Sequence, residues 1–100
     1  MRITQHFIMI KSFRHKGLAR FYLAGSTWGI QPGHANRLRM LLAALDSASS
    51  VLDLNKPGYF LHRLKGRNSQ TWSIRVSGNW RLTFAFKEGN VYLLEYEDYH

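Results

Sequence analysis

The sequence predicts a small α+β domain, with two helices in its first half and an antiparallel sheet in its second. Three observations carry that reading. Apolar residues recur at helical spacing between about residues 15 and 48, and strand-like runs separated by short polar turns fill residues 59–97. The 100 residues suffice for one modest core but not two. An apolar content of 45% with 14% aromatics argues for packing rather than for a disordered basic tail.

The elements follow in order. Residues 1–100 read as a single domain, with 1–8 as an N-terminal extension and either Met1 or Met9 as the start. Ile8 to Phe13 reads as a short first strand with Ile8, Ile10 and Phe13 inward. From His15 to about Ala24, Leu18, Phe21 and Tyr22 mark one helical face while Lys16 and Arg20 face out, and Gly25 stands where a C-cap is expected. A second helix begins near Pro32 and buries Ala35, Leu38, Leu41, Leu42, Leu45 and Ala48, leaving Asn36, Arg37 and Arg39 outside. Ser47 to Asn55 is irregular or a short helix, and Pro57-Gly58 is a turn. Tyr59–Leu64, Thr71–Val76, Trp80–Phe86 and Val91–Glu97 complete the chain as strands.

Register decides which side chains share a face. A three-residue loop over Ser77-Gly78-Asn79 pairs Val76 with Trp80, Ile74 with Leu82 and Trp72 with Phe84, so one face is wholly apolar and is the one the helices cover. Gly78 or Asn79 then has positive φ. The same register sets Arg75 opposite Arg81 on the other face, beside Ser73 and Thr83. Facing like charges cost stability, and an anion held between them would compensate. In the last hairpin an even-numbered loop at Lys87–Asn90 is preferred, which puts Tyr92, Leu94, Tyr96, Asp98 and His100 on the Arg81 face and leaves Leu94 less buried, whereas an odd loop would put Glu95 and Glu97 there.

Charge narrows the partners. The net charge is +8, and residues 11–81 hold twelve Lys and Arg against only Asp46 and Asp53. Such a surface concentrates polyanions. Arg outnumbers Lys nine to five, which favours phosphate forks. The absence of Cys excludes thiolate chemistry and disulfides and fits a reducing cytoplasm. No apolar run approaches a membrane span, and the N-terminus lacks a signal-peptide cleavage site. No cofactor motif is present, and no pair of His stands at the spacing a metal site uses.

What remains is an acid–base and cation set. Metal-free cleavage of an RNA phosphodiester needs a proton taken from the 2′-OH, charge stabilised on the phosphorane and a proton given to the 5′-oxygen. His62 and His100 suit the proton steps, Lys65 and Arg81 the charge. Tyr99 can stack on a base or donate its phenol, and Asp98 can orient a histidine or the 2′-OH. Arg75, Trp80, Arg63 and Arg67 are candidates for substrate binding. His62 and Lys65, three apart, cooperate only if the strand ends or bulges near Leu64. His6, His15 and His34 receive no role.

Several stretches then resemble one family. Met9-Ile10-Lys11-Ser12-Phe13, His15-Lys16-Gly17-Leu18, Gly29-Ile30-Gln31-Pro32 and Leu61-His62-Arg63-Leu64-Lys65-Gly66 are similar to the HigB branch of the RelE-type toxins. So are Trp72-Ser73-Ile74, Gly78-Asn79-Trp80-Arg81-Leu82-Thr83-Phe84 and Tyr96-Glu97-Asp98-Tyr99-His100. The resemblance implies the RelE-like microbial RNase fold, two helices on one face of a twisted antiparallel sheet. It implies a toxin that cuts mRNA in the ribosomal A site, a neutralising antitoxin with a helix-turn-helix domain of the HigA type, and contact with operator DNA only through that antitoxin. The family's catalytic positions fall on His62, Lys65, Arg81, Asp98, Tyr99 and His100. The competing readings are a non-catalytic basic RNA- or DNA-binding module and, more weakly, a protein-interaction domain that meets an acidic partner.

Overall fold

The computed structural model describes residues 9–65 and 70–98. Its elements are α1 (Lys16–Ala24), α2 (Ala35–Ser47), β1 (His62–Arg63), β2 (Thr71–Ser77), β3 (Trp80–Lys87) and β4 (Asn90–Asp98). The strands form one antiparallel sheet in chain order, β1-β2-β3-β4. Leu18 and Phe21 of α1 and Leu38, Leu41, Leu42 and Leu45 of α2 join Ile74, Leu82, Phe84, Leu94 and Tyr96 of the sheet in one core. The α+β class with both helices on one sheet face is therefore observed.

Local chemistry sets the helix ends. The His15 imidazole Nδ1 accepts the Leu18 backbone N–H at 2.9 Å and so caps α1. Gly25, at φ 75°, closes it by donating to the Phe21 carbonyl. A Cβ on Gly17 would lie 2.6 Å from the Gly29 carbonyl oxygen, so the loop after α1 lies directly on the helix start. A 3-10 turn, Pro32–His34, leads into α2, and a second, Val51–Leu54, follows it. Arg37 is not outside as expected: its Nη2 donates to the carbonyls of Gly58 (2.6 Å) and Arg75 (2.9 Å).

Two expected strands contract. Ile8 lies outside the described residues, and Ile10 and Phe13 make only isolated parallel bridges, to Val91 and Leu94, because between them the Leu93 N–H bonds to Ser12 Oγ (2.8 Å) instead of extending a backbone ladder. Tyr59–Leu64 shortens to His62–Arg63, since Phe60 has φ 51° and turns the chain away from extended geometry.

The β2–β3 register agrees with expectation through Trp72–Phe84, Ile74–Leu82 and Arg75–Arg81. The tip differs. Ser77 rather than Val76 pairs with Trp80, the loop is Gly78-Asn79 with Gly78 at φ 56°, and a bulge at Val76 absorbs the extra residue. In the last hairpin Lys87 pairs with Asn90 across a two-residue turn, so the even loop is observed and Tyr92 lies opposite Ala85. A bulge at Leu93 (φ 56°) then reverses the faces: Glu95 and Glu97 lie opposite Thr83 and Arg81, and Asp98 opposite Trp80. The expectation that Leu94, Tyr96 and Asp98 share the Arg81 face is thereby overturned. Leu94 is fully buried in the core.

Candidate active site

The candidate site lies on the sheet face turned away from the helices. Pairing aligns His62, Ser73, Thr83 and Glu95 in one row across all four strands, with Arg75, Arg81 and Glu97 in the next row. His62, Ser73 and Arg81 line a cleft of about 450 Å³ together with Phe60, Leu61 and Leu64. Thr83 Oγ1 donates to Glu97 Oε2 at 2.8 Å, which holds a carboxylate beside the arginine row.

The two facing arginines are not equivalent. The Arg75 guanidinium lies 5.2 Å from the centroid of the Phe60 ring. Arg81 is half-buried, and its buried Nη1 makes no hydrogen bond. Desolvating a guanidinium nitrogen without a partner is costly, so Arg81 lines the cleft at a cost in the free protein.

His62 is exposed on β1, and the strand ends after Arg63, which meets the condition for Lys65 to leave the strand's alternation. Lys65 is exposed in the following turn and is not among the residues that line the cleft. Arg63, paired with Trp72, is on the opposite face from His62. Trp80 also faces away from Arg81, with its ring 4.7 Å from that of Tyr96 and 5.6 Å from that of His34. Asp98 stands opposite Trp80 at the end of β4. Tyr99, His100 and Arg67 lie outside the described residues. Among the described residues no group of three His, Asp or Glu could hold a metal ion.

His15 and His34 do have structural duties. His34 Nδ1 is 2.7 Å from the Tyr96 hydroxyl, which also accepts the Gln31 N–H at 3.2 Å. Burial pushes the Tyr96 phenol above its ordinary pKa, although the Gln31 bond opposes this. This network anchors β4 just before Asp98.

Residues 11–100 match the family model for the RelE-like toxin of type II toxin–antitoxin systems, HigB. The chain belongs to this HigB-like toxin family. It is similar to endoribonuclease HigB of Proteus vulgaris, with 47% identity over 92 residues that cover 92% of this chain and all of that protein. As a type II toxin it has an antitoxin as partner. No helix among the described residues is long and apolar enough to cross a membrane.

Phe60 and Glu97 belong to the candidate site, Phe60 without a sequence signal of its own and Glu97 expected there only under the disfavoured odd loop. Phe60 carried only the weak signal of following the turn at Gly58, and Glu97 reaches the Arg81 row only through the Leu93 bulge.

Proposed function

We propose that this HigB-like toxin is an endoribonuclease that cuts mRNA in the ribosomal A site and so stops translation. The observation that carries the reading is the cleft that His62 and Arg81 line together, an imidazole and a guanidinium on one sheet face. The relative's name, endoribonuclease, supports it.

In this reaction the substrate's 2′-oxygen attacks phosphorus while the bond to the 5′-oxygen breaks, leaving a 2′,3′-cyclic phosphate and a 5′-OH end. His100 or, reaching round the end of β4 from the other face, Asp98 takes the 2′ proton, and His62 or His100 supplies the proton to the leaving oxygen. Arg81 and Lys65 stabilise the phosphorane charge, and Tyr99 stacks on a base or donates its phenol. Arg75 and Arg67 bind the RNA near the cut, whereas Arg63, on the opposite face from His62, can meet only more distant parts of the RNA chain. Trp80 contributes from beneath the sheet by packing on Tyr96.

A site with so few groups gains from a ribosome that holds mRNA in an attack-ready geometry. The toxin therefore works in the cytoplasm. Its antitoxin is of the helix-turn-helix, HigA type, and operator DNA is reached only through it. Primer extension on mRNA from cells expressing wild type and His100→Ala tests the reading. Codon-phased 5′ ends with wild type and their loss in the variant are expected. Equal ends in both would remove His100 from the chemistry, and no new ends in either would leave a binding module.

A further inference from the structure

Phe60 lines the cleft beside His62 and Arg81, yet the cleavage chemistry gives it nothing to do. The residue is 61% exposed. Its backbone has φ 51°, a region that non-glycine residues enter against steric resistance. Hydrophobic burial explains neither fact, since an ordinary core phenylalanine gains by turning inward.

The ring is also part of a braced unit. Arg75 places its guanidinium 5.2 Å from the ring centroid. The Arg75 N–H donates to the Tyr59 carbonyl at 2.8 Å. From α2, Arg37 bonds the carbonyls of both Gly58 and Arg75, tying together the two segments that carry the ring and the cation. Tyr59 is buried and sits under the Arg37 guanidinium at 5.3 Å. An aromatic ring at the cleft wall, backed by a guanidinium beside it, matches what unstacked bases pack against.

We propose that Phe60 and Arg75 form a stacking platform for a nucleotide base next to the scissile phosphate, with Arg37 as its positioning residue. The proposal rests on the endoribonuclease reading above. Stacking tolerates every base, so the platform acts on binding more than on sequence choice, with purines favoured for their larger face.

The test uses the full-length toxin with a synthetic mRNA, both free and on programmed ribosomes. Phe60→Ala raises KM about 5- to 150-fold and changes kcat little, whereas Phe60→Trp keeps the wild-type KM. Phe60→Gly matches Phe60→Ala in KM but melts at a higher temperature, because glycine accepts the positive φ freely. The same mRNA with a 2′-deoxy residue at the cut position gives affinities by fluorescence anisotropy, independent of turnover. An unchanged KM and affinity in Phe60→Ala, or equal losses in Phe60→Trp and Phe60→Ala, overturns the platform. So does a Phe60→Ala variant with normal RNA kinetics but a weakened antitoxin complex. If the wild type cuts free mRNA as fast as ribosome-bound mRNA, the ribosome reading fails, and the ratio of Phe60→Ala to wild type still decides the platform.

Discussion

Arg75 and Arg81 face each other directly across β2 and β3, and the fold resolves their repulsion unequally. Arg75 leans onto Phe60. Arg81 keeps a buried Nη1 without a hydrogen bond, in the cleft that His62 also lines. A group held at a cost in the free protein is a group prepared for the bound state.

Replacement of Arg81 should separate stability from function. Arg81→Met relieves the repulsion with Arg75 and an unbonded buried nitrogen but also removes the cation opposite Glu97, so stability changes by no more than about 1 kcal/mol. Cleavage falls by about 100-fold or more, as for the loss of one transition-state donor. Urea denaturation with single-turnover cleavage on the same samples checks both halves. A variant destabilised by several kcal/mol would show that Arg81 is structural.

The contact between Gly17 and Gly29 sets up a second prediction. Alanine in place of glycine in a helix usually stabilises by roughly 0.5–1 kcal/mol. Here the added Cβ at position 17 meets the Gly29 backbone at 2.6–2.9 Å, and backbone cannot swing aside as a side chain can. Overpacking of about 1–3 kcal/mol therefore wins, and Gly17→Ala is destabilised. Gly29→Ala meets the Gly17 Cα at 2.5 Å and behaves alike. Because both strain one contact, the double variant loses less than the sum. Additive losses in chemical denaturation would contradict a shared contact.

The third prediction concerns alkaline pH. Tyr22 donates its hydroxyl proton to Asp46 Oδ2. Burial first, then the hydrogen bond and the negative charge of Asp46, push the phenol well above its ordinary value. Above about pH 10 the unfolded chain releases this proton while the folded chain retains it, so stability falls as pH rises. Below that pH the full contribution is present. The melting temperature of the wild type should therefore drop more steeply than that of Tyr22→Phe between about pH 9.5 and 11. Parallel curves would mean that the Tyr22–Asp46 bond contributes nothing.

Much of this architecture is legible as periodicity. Leu38, Leu41 and Leu45 repeat at helical spacing and are all fully buried, because a helix against one sheet can present only one stripe. Trp72, Ile74, Leu82 and Phe84 alternate, and requiring a single apolar face was enough to pair Arg75 with Arg81. Arg37 shows the limit of this logic. Its place on the polar side of α2 is visible in the spacing, but its two carbonyl partners come from a turn and a strand distant in the chain.

Alternation along the chain thus determined the α+β class, both helices and the apolar face of the central hairpin, since periodicity depends only on neighbours a few residues apart. Tertiary structure alone decided which face the end of β4 shows. The switch is at Leu93, a residue with no turn signature, whose N–H is taken by Ser12 Oγ, 81 positions earlier in the chain. One extra residue in a strand inverts every side chain beyond it. A hydroxyl near the beginning of the chain therefore brings Glu97, rather than Tyr96, opposite Arg81.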